Sequence, residues 1–182
     1  MKRLQVFRLW ALLVFVITIG CSEEQDFGQF DDLSVTPTLT SSIFYLESDE
    51  AFINTISATN VFFSQTYNFD AFTEQFVAER LLEGTITYEF ENTTSKQLNI
   101  VIEFLDEMAN ILDAETFDIE AMPTQSLREV TYGPTGKSLD ILINTSNLRV
   151  TANNLGDATS VSTSPEPKII MGSVAEFLFR LK

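Results

Sequence analysis

Between residues 85 and 105, apolar and polar side chains alternate with a period of two. Ile86, Tyr88 and Phe90 are interleaved with Thr85, Thr87, Glu89 and Glu91, and after Asn92-Thr93-Thr94-Ser95-Lys96 the series Leu98, Ile100, Ile102, Phe104 is interleaved with Asn99, Val101, Glu103 and Leu105. A strand turns successive side chains to opposite faces, so each segment has one buried and one wet face. The polar stretch between them predicts a turn, and the whole predicts an antiparallel hairpin. Its core would hold Tyr88, Phe90, Ile100 and Ile102, with Glu89, Glu91 and Glu103 in solvent.

Other segments read similarly. Val35 to Tyr45 is rich in β-branched and hydroxylated residues, predicting a first strand within 33–47, with Pro37 at an edge or strand start. Ser48-Asp49-Glu50 before Ala51-Phe52-Ile53 predicts a capped helical turn. Val61 to Phe69 is strand-like, and Phe72 to Phe76 fits helix or extended chain. Asp106 to Asn110 reads as a connection feeding a strand from Ile111 to Ile119. Leu127 to Tyr132 is extended, Gly133-Pro134-Thr135-Gly136 turns, and Ser138 caps a short helix before a strand from Leu148 to Asn153. Ala175, Phe177, Phe179 and Leu181 form a closing strand. Many short strands and few helical windows predict a mainly β fold: a single antiparallel β-sandwich, Ig-like in broad terms, with one or two short helices and a signal-peptide helix in front.

Composition agrees with that reading. Nine of the 16 Phe lie between Phe27 and Phe76, and most are read as sandwich interior, a minority as a binding face. The N-terminus changes the picture more. Lys2, Arg3 and Arg8 precede an apolar stretch from Leu9 to Ile19, which reads as a secretory signal. It is too short to span a bilayer, where about 20 apolar residues are needed. The stretch ends at Gly20-Cys21, and a small residue directly before the sole cysteine resembles the lipobox of bacterial lipoproteins, in which the thiol is acylated and becomes the mature N-terminus. A buried free thiol, or an ordinary cleaved signal, would not explain why that cysteine falls at the switch from apolar to acidic sequence. The expected organisation is a lipoprotein signal peptide over 1–20, an acidic tether over 21–32 and a sandwich over 33–182.

Ser22-Glu23-Glu24 resembles the acidic export tag of surface lipoproteins in Bacteroidota. A solvated linker has the same composition, so a surface-exposed and a periplasm-facing lipoprotein both stand as readings. Removing residues 1–20 takes three of the 11 basic residues and none of the 26 acidic ones, leaving eight against 26 and a formal charge of −18. Such a surface repels phosphate backbones, so no nucleic acid is expected as a partner. It also disfavours lying flat on an anionic bilayer, so the membrane is a partner through the lipid on Cys21 alone.

Candidate chemistry is sparse. The chain has no histidine, which removes the usual general base, the Ser-His-Asp triad and most zinc sites. Glu89 and Glu91 stand about 7 Å apart on one strand face, yet a glycosidase pair also needs a cleft and one raised pKa. Asp106, Glu107 and Asn110 could ligate calcium in a turn but lack EF-hand spacing. Asn92-Thr93-Thr94 and Asn144-Thr145-Ser146 match a eukaryotic glycosylation pattern that a lipobox makes incidental. Trp10, the sole Trp, lies in the signal, leaving Tyr45, Tyr67, Tyr88 and Tyr132 as sugar platforms, with Tyr88 on an inward face. No catalytic residue, metal ligand or cofactor is therefore expected.

The run Glu89 to Ile100 resembles the strand-turn-strand of transthyretin-like and fibronectin-like sandwiches. The tag after Cys21, together with the closing Phe177-Leu178-Phe179-Arg180-Leu181-Lys182, resembles the small lipoproteins of marine flavobacteria, a group without assigned activity, so no functional residue is carried over. The functional expectation is a non-enzymatic, lipid-anchored outer-membrane protein acting as an interaction or accessory subunit of an envelope assembly, with a protein partner there. The alternative is a glycan- or lipid-binding module on the cell surface, discriminated by whether Phe62, Phe63, Phe69, Phe72 and Phe76 point inward or form an exposed patch.

Overall fold

Eight strands and three short helices form among the described residues, which in this computed structural model are 34–56, 60–69, 71–72, 74–121 and 124–181. The chain divides at residue 33, and everything that follows concerns the second part. The strands are β1 (Thr38–Asp49), β2 (Val61–Asn68), β3 (Leu81–Asn92), β4 (Leu98–Leu105), β5 (Ile111–Ile119), β6 (Thr124–Tyr132), β7 (Asn147–Asn154) and β8 (Lys168–Phe179). Helix α1 (Glu50–Thr55) follows β1, α2 (Gln75–Ala78) precedes β3, and α3 (Leu139–Asn144) precedes β7. Asp49 caps α1 by accepting from the Phe52 N–H at 2.6 Å, and Ser138 caps α3 by accepting from Asp140.

The strands pair antiparallel in two four-stranded sheets, ordered β1-β8-β3-β6 and β2-β7-β4-β5. The expected antiparallel sandwich is present. Only one sequence-consecutive pair, β4 and β5, shares a sheet; every other connection crosses the core. That is the order of an eight-stranded jelly roll, not the ABED and CFG sheets of an immunoglobulin domain.

This order overturns the hairpin between residues 85 and 105. β3 pairs with β6 and β8, whereas β4 pairs with β5 and β7. Alternation tells which face of a strand is buried but not which strand lies beside it. The inner faces of β3 and β4 therefore meet across the interior rather than edge to edge. The assigned core survives the correction: Tyr88, Phe90, Ile100 and Ile102 are all buried, while Glu89 and Glu91 are exposed. Glu103 is half-buried, paired through its carboxylate with Arg149 on the neighbouring strand. Asn92 stitches the corner between the sheets, donating to the carbonyls of Lys96 and Glu120, each at 2.9 Å, and accepting from the Thr94 N–H and hydroxyl.

The interior is a run of aromatic contacts between aliphatic layers. Phe117 lies 4.8 Å from Phe90 and 5.0 Å from Tyr88 between ring centroids, and Phe72 packs edge-on against Phe177. Such pairs add about 0.5–1.5 kcal/mol beyond the burial of their area. In β1 the register shifts between Ser42 and Phe44, and the extra residue, Ile43, reverses which parity faces the core. Phe44 and Leu46 thereby turn inward and Tyr45 and Glu47 outward. The Ser173 hydroxyl, itself buried, accepts the Phe44 N–H at 3.3 Å and secures that shift.

Candidate functional site

The densest polar constellation lies at the corner where α1, the β3–β4 connection and the 155–167 connection meet. Lys96 is fully buried there. Its Nζ donates to the Ser160 carbonyl at 2.7 Å, the Ser160 hydroxyl at 2.9 Å and Asp157 at 3.4 Å. Glu50, also buried, accepts from the N–H and hydroxyl of Ser95, each at 2.6 Å, and from the Ser162 N–H at 2.7 Å. Burial pushes the Glu50 pKa upward, but the hydrogen bonds from Ser95 and Ser162 and the charge of Lys96 outweigh it and hold the carboxyl below its ordinary value. Asp157 is held well below the carboxylate range by the N–H groups of Ser160 and Thr159 and the Ser160 hydroxyl.

A serine hydroxyl 2.9 Å from a buried lysine amine has the distance of a Ser–Lys nucleophile pair. Its bonding pattern is different. Activation needs a neutral amine whose lone pair takes the hydroxyl proton. Here Nζ is shared among three oxygens, at 2.7, 2.9 and 3.4 Å, rather than aimed at the hydroxyl alone. The Ser160 hydroxyl directs its proton to Asp157 and its oxygen accepts from Lys96, while the Ser95 hydroxyl 3.1 Å away gives its single proton to Glu50. The hydroxyl proton is thus held by a carboxylate rather than taken by the amine. The chemistry this arrangement performs is a lock, tying the long 155–167 connection to the corner.

The acidic candidates separate in space. Glu89 and Glu91 stand on the outer face of the β1-β8-β3-β6 sheet, not in an enclosed cleft. Asp106 accepts from the N–H groups of Met108 and Asn110 and from the Asn110 side chain, and these bonds, led by the Asn110 amide, lower its pKa. The 106–110 loop is thus closed on itself around Ala109, whose φ is +62°, while Glu107 is exposed. Among the described residues no group of three or more His, Cys, Asp or Glu is placed to hold a metal.

A further charged cluster went unread in the sequence. On β5, alternation puts Asp113 and Glu115 on the same inward side as Phe117 and Ile119, and Lys137 from the β6–α3 connection bonds to both carboxylates. Burial lowers the Lys137 pKa, but the two carboxylates outweigh it, so the net shift is upward. The nearby Tyr132 hydroxyl is buried with no hydrogen-bond partner among the described residues, and burial, with the charges of Glu115 and Asp113, pushes its pKa far up. The alternation of Asp113, Glu115 and Phe117 was the available signal.

Of the tyrosines, Tyr88 and Tyr132 are core residues, Tyr67 is half-buried and Tyr45 is 57% exposed. Phe62, Phe69 and Phe72 are buried and Phe63 packs against the core, so of the five Phe only Phe76 is exposed, beneath the Arg80 guanidinium. Cys21, Ser22, Glu23 and Glu24 lie outside the described residues. Among those described, no helix is long and apolar enough to cross a membrane.

No protein-family model matches the chain, and no curated protein matches its sequence. Among solved structures it is similar to the infectious bursal disease virus Gx strain particle, at 10% identity and a TM-score of 0.40 over 82% of this chain and 33% of the viral one. It is also similar to the enzymatically active domain of tailspike protein 4 of bacteriophage CBA120 (16% identity, TM-score 0.37, 84% of this chain and 20% of that one). Latent PorU of Porphyromonas gingivalis matches at 9% identity and a TM-score of 0.35, over 81% of this chain and 13% of that one. The chain thus spans about a third or less of the length of these proteins.

Proposed function

We propose that this protein is a non-enzymatic lipoprotein, held to the bacterial outer membrane by acylation of Cys21, whose jelly roll serves as an interaction or accessory subunit of an envelope assembly. The observation that carries the reading is the sequence around Cys21. A basic start and an apolar stretch end at Gly20-Cys21, and Ser22-Glu23-Glu24 follows at once. The bonding of Ser160 supports the non-enzymatic part, because its proton goes to Asp157 rather than to Lys96. The acidic surface supports attachment through lipid rather than through the protein face.

The test is palmitate labelling with membrane fractionation of the parent and Cys21→Ala. Labelling and membrane retention should both vanish in the variant; palmitate incorporation at the parent level would falsify the anchor. Replacing Glu23 and Glu24 by Ala should lower surface accessibility to external protease with the lipid retained, and equal digestion of both forms reduces the acidic tag to a linker. Pull-down from native outer membrane identifies the partner. The alternative of a glycan-binding module is favoured by one specific observation, the exposed ring of Tyr45.

A further inference from the structure

Four outward-facing residues form a row across the middle of the β1-β8-β3-β6 sheet: Tyr45, Gly172, Glu89 and Leu127. Gly172 is the odd member. Glycine weakens a strand interior by about 0.5–1 kcal/mol relative to alanine, and where it occurs it often marks a close approach by a ligand or another backbone. Packing among the described residues does not demand it, because a Cβ built on Gly172 meets none of them within 4 Å. Its effect is to leave a slot above β8, part of a depression of about 340 Å³ walled by Tyr45, Val174, Thr87 and Glu89.

The walls suit one kind of occupant. The β1 bulge at Ile43 turns Tyr45 outward, and its hydroxyl donates to Glu47, whose carboxylate is held by Lys168 at 2.8 Å. The ring is therefore fixed before anything binds, which removes the ordering cost of a free side chain. Glu89, on the other side of the slot, has no partner among the described residues and presents acceptor oxygens only. Strands stand about 4.8 Å apart, so Tyr45 and Glu89 flank a gap of about 10 Å, enough for a pyranose ring of about 5 Å with van der Waals clearance on both sides.

We infer that this slot is a carbohydrate subsite for an uncharged pyranose, with the apolar C–H face of the sugar on Tyr45, the ring over Gly172 and two of its hydroxyls donating to Glu89. Uronic and sialic sugars are excluded, because Glu89, Glu91 and Glu47 share that face. The inference stands apart from the lipid anchor: the Cys21→Ala form should bind sugar as the parent does, so losing one reading leaves the other intact.

The experiment is saturation-transfer NMR on the full chain in a detergent without a sugar headgroup. The probes are cello-, manno- and xylo-oligosaccharides, with oligogalacturonate as the anionic control. At least one neutral series should receive saturation, and oligogalacturonate none. Tyr45→Ala and Gly172→Val should each reduce the signal at least tenfold, and Glu89→Gln should weaken binding about three- to tenfold, as expected for hydrogen bonds to a charged acceptor. Because a Cβ at Gly172 meets open space, Gly172→Val should melt no lower than the parent, so loss of binding in that variant cannot be attributed to unfolding. Absence of transfer to every neutral series, transfer that survives Gly172→Val, or equal binding of oligogalacturonate each overturns the subsite.

Discussion

Replacing Lys96 by Met tests whether the corner lock stabilises the fold. Met has an unbranched apolar stem as long as that of lysine and lacks the terminal ammonium. Three donations disappear, to the Ser160 carbonyl, the Ser160 hydroxyl and Asp157. Asp157 is 59% exposed on its side chain and regains water, so its share of the loss is small. The Ser160 carbonyl and hydroxyl lose a charged donor, at about 1.5–3 kcal/mol for a bond of that kind. Glu50 keeps its three donors from Ser95 and Ser162 but loses the nearby positive charge in a buried setting. Together these give about 3 kcal/mol. For a domain of this size, where 1 kcal/mol moves the midpoint by about 2–4 °C, the fall is about 6–12 °C. Thermal and urea unfolding of the chain beginning at Ser22 measures it, and hydrogen exchange should show the 155–167 connection losing protection first. The counter-argument is physical: a buried charge costs desolvation, and an apolar replacement can be neutral or stabilising. A Lys96→Met protein melting at or above the parent, with 155–167 still protected, would refute the lock.

Four more outcomes rest on the fold. Phe90→Ala should cost about 3–5 kcal/mol by removing a buried ring in tilted contact with Phe117, whereas Glu91→Gln should shift stability by under about 0.5 kcal/mol; equal damage in urea titrations would reveal a buried partner for the carboxylate. Ala109→Gly should raise stability by about 0.5–1 kcal/mol, because an alanine at φ +62° carries a left-handed penalty that exceeds the extra chain entropy of glycine, and a lowered urea midpoint would contradict that. Glu50 and Glu103 are held below the ordinary Glu value of 4.5, so their stabilisation is complete above that pH and lost as pH falls through the lower folded values; a midpoint unchanged between about pH 5 and pH 2 would be incompatible with these bonds. Lys137, raised above 10.5, has the opposite sign, with stabilisation present below that pH and lost above it.

What the sequence revealed was local. β5 was legible at its full length because Asp106 to Asn110 is a strong turn and Phe117 and Ile119 alternate cleanly. The start of α1 was legible to within Ser48-Asp49-Glu50, and that of α3 at Ser138, because short oxygen-bearing side chains ahead of an apolar segment accept the free N–H groups of a first helical turn. Strand partners were not legible, because β3 and β4 would show the same alternation in one sheet or in two. The closing strand begins at Lys168 rather than Ala175, because Gly172 and Ser173 interrupt the apolar pattern although Ile169 and Met171 are fully buried. Lys96 looked like a turn residue, since its acceptors come from Asp157 and Ser160, about 60 residues away in sequence. The slot over Gly172 needed both the register of β1 against β8 and the parity reversal at Ile43, neither of which a single strand's pattern contains.

The pairing of β1 with β8 has a mechanical consequence. β1 begins four residues after the first described position, residue 34. It runs beside β8 through eleven matched positions from Thr38–Leu178 to Asp49–Lys168, and the Phe179 and Leu181 N–H groups add bonds to Pro37 and Val35. If the chain is held at its N-terminal side and a partner pulls at the far end, where α1 and the 155–167 connection lie, tension passes along β1 parallel to its own axis. Every hydrogen bond of the β1–β8 ladder is then loaded at once in shear. A pull across the strand would instead open the bonds one at a time, like a zip. An outermost strand, ordinarily the weakest part of a sheet, would in this geometry be the part that resists detachment under force.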